Sequence, residues 1–211
     1  MQKIIPLVIG TTNKGKFQDL NQIIYRKFPE VFKPVSLQEL DITEEPEETG
    51  RTFQENSKSK AIFYAEKAGM PAIADDGGLE IAALGGEPGI HSRRWPGYKA
   101  TDQELIDYAL MKMRHIPKGK RTAKLTTCVS FYDPVSKLLL QVAKSIRGHI
   151  SLTPSNHLDE GYPYKALFVV DAFGQFYGEL SADQHEKINH RRIALTELLT
   201  KVIHTYARMV A

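Results

Sequence analysis

The 211-residue chain is 42% hydrophobic and 25% charged, apolar enough for a sizeable core and too apolar for a disordered chain. A net charge of +3 and an isoelectric point near 8.8 make it only mildly basic, too weakly to argue for nucleic acid. A single cysteine excludes an internal disulfide framework, and no apolar run approaches the roughly 20 residues that span a bilayer. The length suits one domain, with room for two lobes. Met1-Gln2-Lys3 leads straight into an apolar segment, which reads without a signal peptide and predicts a cytoplasmic protein.

Ile4 to Ile9 is an apolar run broken only by Pro6, short enough for a buried strand that starts or lies at an edge near the proline. Gly10-Thr11-Thr12-Asn13-Lys14-Gly15-Lys16 follows, and Phe17, Leu20, Ile23 and Ile24 then recur at helical spacing. Strand, polar loop and helix in that order describe a phosphate cradle, with Lys16 beside the backbone amides. The spacing is not that of a P-loop, and a plain strand–helix connection accounts for the same letters. Phe28 to Ser36 predicts a second short strand. Asp41 to Glu48 is dense in acid, the pattern of a solvated loop, from which one or two carboxylates can face a metal. Thr52-Phe53-Gln54-Glu55 fits a capping box and predicts a helix from Phe53 to about Ala68, stopped by Gly69 and Pro71. On it, Asn56 and Lys60 share one side with Phe63 or Tyr64 and face either a cleft or water.

Ala74-Asp75-Asp76-Gly77-Gly78-Leu79 comes next. Asp and Gly are poor strand formers, so a strand beginning near Pro71 is expected to end here and turn. Two carboxylates at a strand end can hold a divalent ion, position a water or take its proton. An ordinary Asp-Gly turn has the same letters. Farther on, Gly85 to Gly89 is a loop, and His91-Ser92-Arg93-Arg94-Trp95-Pro96-Gly97 offers two guanidinium groups to an anion. Thr101 is expected to cap a helix holding Leu105, Ile106 and Ala109, which ends near Pro117. Arg121 to Val142 reads as two strands around Asp133-Pro134, with Cys128 a buried structural thiol. Gly148 to Pro154 opens a long polar connection, with His149 and His157 on the surface. Gly161-Tyr162-Pro163-Tyr164-Lys165 leads into a strand over Ala166 to Val170; its tyrosines can stack on a base or pack at a rim. Leu195, Leu198, Leu199, Val202, Ile203 and Tyr206 form the core stripe of a last helix, preceded by the polar cluster Ile188-Asn189-His190-Arg191-Arg192.

Several of these stretches align with one family. Thr11-Thr12-Asn13-Lys14-Gly15-Lys16 resembles its T-x-N-x-x-K motif. Glu48-Thr49-Gly50-x-Thr52-Phe53-x-Glu55-Asn56-x-x-x-Lys60-Ala61 is similar to E-T-G-x-T-F-x-E-N-x-x-x-K-A, and Ala74 to Leu79 to A-D-D-S-G-L. Leu84-Gly85-Gly86-x-Pro88-Gly89-Ile90 resembles L-G-G-x-P-G-I/V, and Ser92-x-Arg94 matches S-A-R. The family is the Ham1/RdgB-like inosine and xanthosine triphosphate pyrophosphatases, and the resemblance runs from residue 3 to about residue 200. It implies a mixed α/β fold, an elongated sheet with flanking helices in two lobes around a central substrate cleft, making one domain over residues 1–211. It implies cleavage of ITP, dITP and XTP between the α- and β-phosphates with Mg2+, in an enzyme that is commonly a homodimer. No membrane and no stable nucleic-acid partner is expected.

Carried over by motif, Asp76 is the general base with Lys60 beside it, and Glu48, Asp75 and Asp76 support the metal. Adjacent Asp75 is the second acid expected to raise the basicity of Asp76. Lys16, Lys60 and Arg94 neutralise the triphosphate, with Thr11, Asn13, Asn56 and Ser92 as further substrate contacts. Tyr162, Tyr164, Lys165, His190 and Arg191 fall where the family recognises the base. Here the chain departs from the pattern. The family's G-F-G-Y-D-P is Gly161-Tyr162-Pro163-Tyr164-Lys165-Ala166, and its S-H-R is Asn189-His190-Arg191. A carboxylate accepts from purine N–H groups, whereas the Lys165 ammonium can only donate. Three readings follow: a pocket rebuilt with Asp159, Glu160 or another acid; a preference for an acceptor-rich base such as xanthine or for a different nucleotide; or a nucleotide-binding or interaction protein without efficient catalysis.

Overall fold

The computed structural model describes residues 4–210; Met1 to Lys3, which bear on the reading without a signal peptide, and Ala211 lie outside the described residues. In chain order the main elements are β1 (Ile5–Ile9), α1 (Lys14–Lys27), β2 (Phe32–Ser36), α2 (Phe53–Ala68) and β3 (Ala72–Ile81). Then come α3 (Asp102–Met113), β4 (Thr122–Tyr132), β5 (Leu139–Ile150), β6 (Phe168–Val170), β7 (Gln175–Phe176), α4 (Ala182–Ile188) and α5 (His190–Val210). The seven strands form one mixed sheet in the order β2-β1-β3-β4-β5-β6-β7. β1 is parallel to β2 and β3, with Val8 opposite Ala72 and Ile9 opposite Ile73, while β6 is antiparallel to β5 and β7. The chain forms two compact units, the first from residues up to Asp76, Thr127–Lys144 and His190 onward, the second from Gly77–Thr126 and Ser145–Asn189.

In the first unit, strand alternation sorts the core into two layers. Leu7, Ile9 and Ile73 pack with Leu20, Ile23 and Ile24 of α1 and with Leu195, Leu198, Leu199 and Val202 of α5. Val8, Ala72 and Ala74 pack instead with Ala61, Tyr64 and Ala65 of α2. The cap and stop signals of α2 work as expected: the Thr52 hydroxyl caps it and it ends at Gly69 in a left-handed conformation. Asn13, read in the sequence as a loop residue, caps α1. Glu55 reaches back to the Arg51 amide, one residue beyond the expected reciprocal partner. The second unit has its own core around Leu79, Ile81, Trp95, Leu105, Ile106, Leu167 and Phe168. Thr101 and Glu104 complete a capping box at α3.

Four expectations change. β3 does not end at the acid pair but runs through Asp75, Asp76, Gly77 and Gly78 to Ile81. Its place inside the sheet, between β1 and β4, overrides the low strand propensity of these residues; among the described residues of β3, β1 itself pairs only with Ala72 and Ile73. Gly78 suits the strand because the turn Gly89–Arg94 presses onto it: a Cβ there would lie 2.1 Å from Ser92 Oγ and 2.7 Å from the Gly89 carbonyl. β2 begins at Phe32, because Phe28 closes the last turn of α1 through its N–H on the Ile24 carbonyl. β5 continues to Ile150, so Gly148 and His149 are strand residues opposite Val170 and Val169. Pro163–Ala166 is a short 3-10 turn, and β6 starts only at Phe168.

Candidate active site

Buried polar groups of the first unit gather around Asp75 and Asp76, where β3 leaves its apolar start. Asp75 and Asp76 are 2% and 8% exposed. Neighbours in the chain, they follow the alternation of the strand and meet different helices. Asp75 continues the Ile73 side toward α1 and α5: its Oδ2 is 3.2 Å from Lys16 Nζ and 3.1 Å from Arg191 Nε. Arg191 also holds Asp19 of α1 at 3.1 Å. Asp76 continues the Ala74 side toward α2: Oδ2 accepts from Asn56 Nδ2 at 3.2 Å, and Oδ1 lies 3.4 Å from Lys60 Nζ. Lys60 is also ion-paired with Glu48.

The two environments push the carboxyls apart. Burial disfavours the charge on Asp75, but Lys16, Arg191 and Lys60 outweigh it and hold the group well below the usual carboxylate range. For Asp76 burial prevails over Lys60, Lys16 and the Asn56 hydrogen bond, and its pKa is raised, with Glu48 contributing in the same direction. Glu48 is an acid that raises Asp76 from the α2 side, while alternation turns the Asp75 side chain to the other side of the strand. Burial would lower the Lys60 pKa, but Asp76 and Glu48 reverse that, so the ammonium is firmly charged. Such a divergence between neighbouring acids is how one fold keeps a permanent anion beside a proton acceptor.

The other predicted residues of this unit have structural partners. The Thr11 hydroxyl accepts from the Asn13 amide, and Asn13 Oδ1 caps α1 through the Lys16 amide at 3.0 Å. Asn56 is buried, and both ends of its amide are engaged: Oδ1 takes the Gly50 N–H at 2.9 Å while Nδ2 faces Asp76. His190 is the first residue of α5. Sequence reasoning missed Asp19 and Gly50. Asp19 lies one turn beyond Lys16 on α1, a spacing that carried no separate signal.

Among the described residues no group of three or more His, Cys, Asp or Glu side chains comes together to hold a metal. Oxygen chemistry suitable for a hard cation is nevertheless present. Glu48 and Asp76 share Lys60, so a cation already lies between their carboxylates. Asp75 Oδ1 is buried without a hydrogen-bond partner. One or two carboxylates suffice for Mg2+ when phosphate oxygens and water complete its shell.

The predicted residues of the second unit form a separate cluster. Ser92 Oγ donates to the Gly89 carbonyl at 2.6 Å and accepts from the Leu79 amide at 3.2 Å, tying the 3-10 turn to β3. Tyr164 is buried, lies edge-on to Trp95 and donates to the Ser92 carbonyl at 2.6 Å, so it packs in the core. Arg93 pairs with Asp102, and Arg94 is exposed at the end of the turn. Lys165 Nζ is 2.8 Å from Asp159 Oδ2 and 4.1 Å from the Tyr162 ring centroid. The Lys165 ammonium is therefore matched by a local carboxylate and covers one face of the tyrosine. Asp159 also lies 3.0 Å from His157 Nε2.

The sequence model of the Ham1 family matches residues 7–201. A dITP/XTP pyrophosphatase of Bacillus subtilis is 34% identical over 193 residues, covering 90% of this chain and 93% of that protein. A second protein of that name, from Haemophilus influenzae, is 34% identical over 197 residues, covering 93% and 98%. The Staphylococcus aureus Ham1 protein superposes with a TM-score of 0.80 at 30% identity, over 95% of this chain and 99% of that one. For a HAM1 protein from Coxiella burnetii the values are 0.82, 28%, 96% and 100%. Motifs, fold and relatives agree: the chain belongs to the Ham1 family.

Proposed function

We propose that this protein hydrolyses noncanonical purine nucleoside triphosphates (ITP, dITP and XTP) to the monophosphate and pyrophosphate, clearing deaminated purines from the nucleotide pool. The observation that carries this reading is Asp76, a buried carboxylate with a raised pKa between Lys60 and Asn56, in a chain whose relatives include dITP/XTP pyrophosphatases. Asp76 takes the proton of the attacking water, water supplies the oxygen, and the α–β anhydride breaks with pyrophosphate leaving. A base pKa moved toward neutrality improves that transfer. Lys60 and Lys16 stabilise negative charge on the phosphates, together with Arg94 and the amides near Thr11 and Asn13. Asp75 stays ionised and fixes Lys16 and Arg191.

Mg2+ would be held with the support of Glu48, Asp75 and Asp76, and when bound it would supply neutralisation of the phosphate oxygens. Tyr162, Lys165 with Asp159, and His190 with Arg191 are the proposed contacts to the base; Ser92 and Tyr164 support them through the core of the second unit. In this reading both units belong to one pyrophosphatase domain, and the enzyme works in the cytoplasm as a homodimer. Asp159 beside Lys165 favours a base site that keeps an acceptor. The test is a panel of nucleoside triphosphates with Mg2+, scoring pyrophosphate against orthophosphate. Pyrophosphate release from ITP, dITP and XTP well above that from ATP or GTP is expected. Tight nucleotide binding without turnover of any triphosphate would replace this reading with a binding protein.

A further inference from the structure

Asn56 occupies an unusual place in the first unit. Its amide is 2% exposed, so every polar atom it carries needs a partner. The Gly50 N–H can only donate, so Asn56 Oδ1 must face it, at 2.9 Å. That choice fixes the flip of the amide and points Nδ2 at Asp76 Oδ2, at 3.2 Å. Gly50 is specific to this contact: a Cβ there would fall 2.5 Å from Asn56 Oδ1 and 2.8 Å from Glu55 Cβ. The other oxygen of Asp76 faces Lys60, which is paired with Glu48, two residues before Gly50. Glu48, Lys60, Asp76, Asn56 and Gly50 thus form a closed ring, completed by the backbone from Glu48 to Gly50.

We propose that Asn56 is a positioning residue and not a substrate contact: locked by the Gly50 amide, it fixes the rotation of the Asp76 carboxylate toward the attacking water. The inference rests on the assignment of Asp76 as the base. With both oxygens of a carboxylate held from different sides, rotation about its Cβ–Cγ bond is restrained, and the reacting oxygen is placed before substrate arrives. Misplacement of about 1 Å in such a group can cost on the order of 100-fold in rate. Gly50 then affects catalysis without touching either water or phosphate.

The experiment compares Asn56→Asp, Gly50→Ala, their double variant and Asp76→Asn, with Mg2+ and ITP, well below each unfolding midpoint. Asn56→Asp still accepts from Gly50, but when ionised it cannot donate to Asp76, and a proton shared between the two acids would occupy the oxygen that must accept. Its kcat is expected to fall by about 100-fold with KM within about twofold of wild type. Gly50→Ala is expected to lower kcat in the same direction by displacing the amide, and the double variant to be no worse than the poorer single one. Hydrogen exchange at the Gly50 amide is expected to be slow in wild type and in Asn56→Asp, and fast in Asn56→Ala. A raised KM with kcat retained in Asn56→Asp, wild-type kcat in Gly50→Ala, or multiplicative losses overturn the proposal. Full turnover in Asp76→Asn removes the base assignment and this inference with it. A dead Asp76→Asn beside normal Asn56 and Gly50 variants removes this inference alone.

Discussion

Asp75 and Asp76 share a peptide bond, yet one carboxylate meets Lys16 and Arg191 and the other meets Lys60 and Asn56. The two acids therefore respond oppositely to substitution. Asp76→Asn preserves shape and the Asn56 side of the contact but removes the carboxylate proposed as the proton acceptor. Turnover is expected to fall by about 100-fold or more while nucleotide binding is kept, as measured by pyrophosphate release and by titration with ITP. Asp75→Asn leaves two cations beside a neutral, buried amide. It is expected to destabilise the protein by about 3 kcal/mol in urea unfolding at neutral pH. The pH dependence has a definite sign. A carboxyl whose folded pKa is depressed stabilises the fold above its unfolded value of about 4, and that contribution is lost as pH falls toward the folded value. Asp75→Asn should accordingly flatten the acid limb of the stability curve. Asp76, with a raised pKa, contributes in the opposite sense, stabilising when protonated and losing that contribution as pH rises through its folded value. An acid limb in Asp75→Asn as steep as that of wild type would contradict the assignment.

At the scale of elements, the local signals in the sequence describe the helices well. Asn13, Thr52 and Thr101 cap as their side-chain chemistry dictates, and the apolar stripe of α5 is buried from Ala194 through Val202. The strands were less legible, because partners distant in the sequence decide where a strand stops. Arg121 illustrates the same limit. It reads as one of several basic residues between Lys112 and Lys124, but it is 3% exposed and donates to the carbonyls of Met113, Ile116, Ile150 and Ser151. It joins the end of α3 to the end of β5 using no carboxylate at all. Arg121→Met would bury the same volume and strand those carbonyls, so a loss of about 3 kcal/mol or more is expected in urea unfolding. A midpoint equal to wild type would show that water replaces the guanidinium at no cost.

At the scale of the molecule, each compact unit carries its own core and its own polar cluster, and the match to the Ham1 family over residues 7–201 takes in segments of both units. Among the described residues no helix is long and apolar enough to cross a membrane. The sequence motif around Lys165, proposed above to contact the base, differs from the family pattern, and the Lys165 ammonium is paired with Asp159. Asp159→Ala would leave that ammonium with tyrosine faces only and remove an acceptor. The ratio of kcat/KM for XTP to that for ITP is expected to shift by about tenfold. An unchanged ratio would place base discrimination elsewhere.

The sequence by itself determined α1, α2, α3 and α5, because capping and periodicity are local properties of the chain, and its motifs determined the family, whose resemblance implied the class of fold; α4 was not read from it. Only the tertiary structure decided what those residues do to one another. Pairing within the sheet carried β3 through Asp75 and Asp76, and the alternation of a strand then gave two adjacent carboxylates different neighbours, one held below the usual carboxylate range and one raised above its ordinary value. Burial and the nearest cation are set by elements far away in the chain, and no spacing in the sequence encodes them.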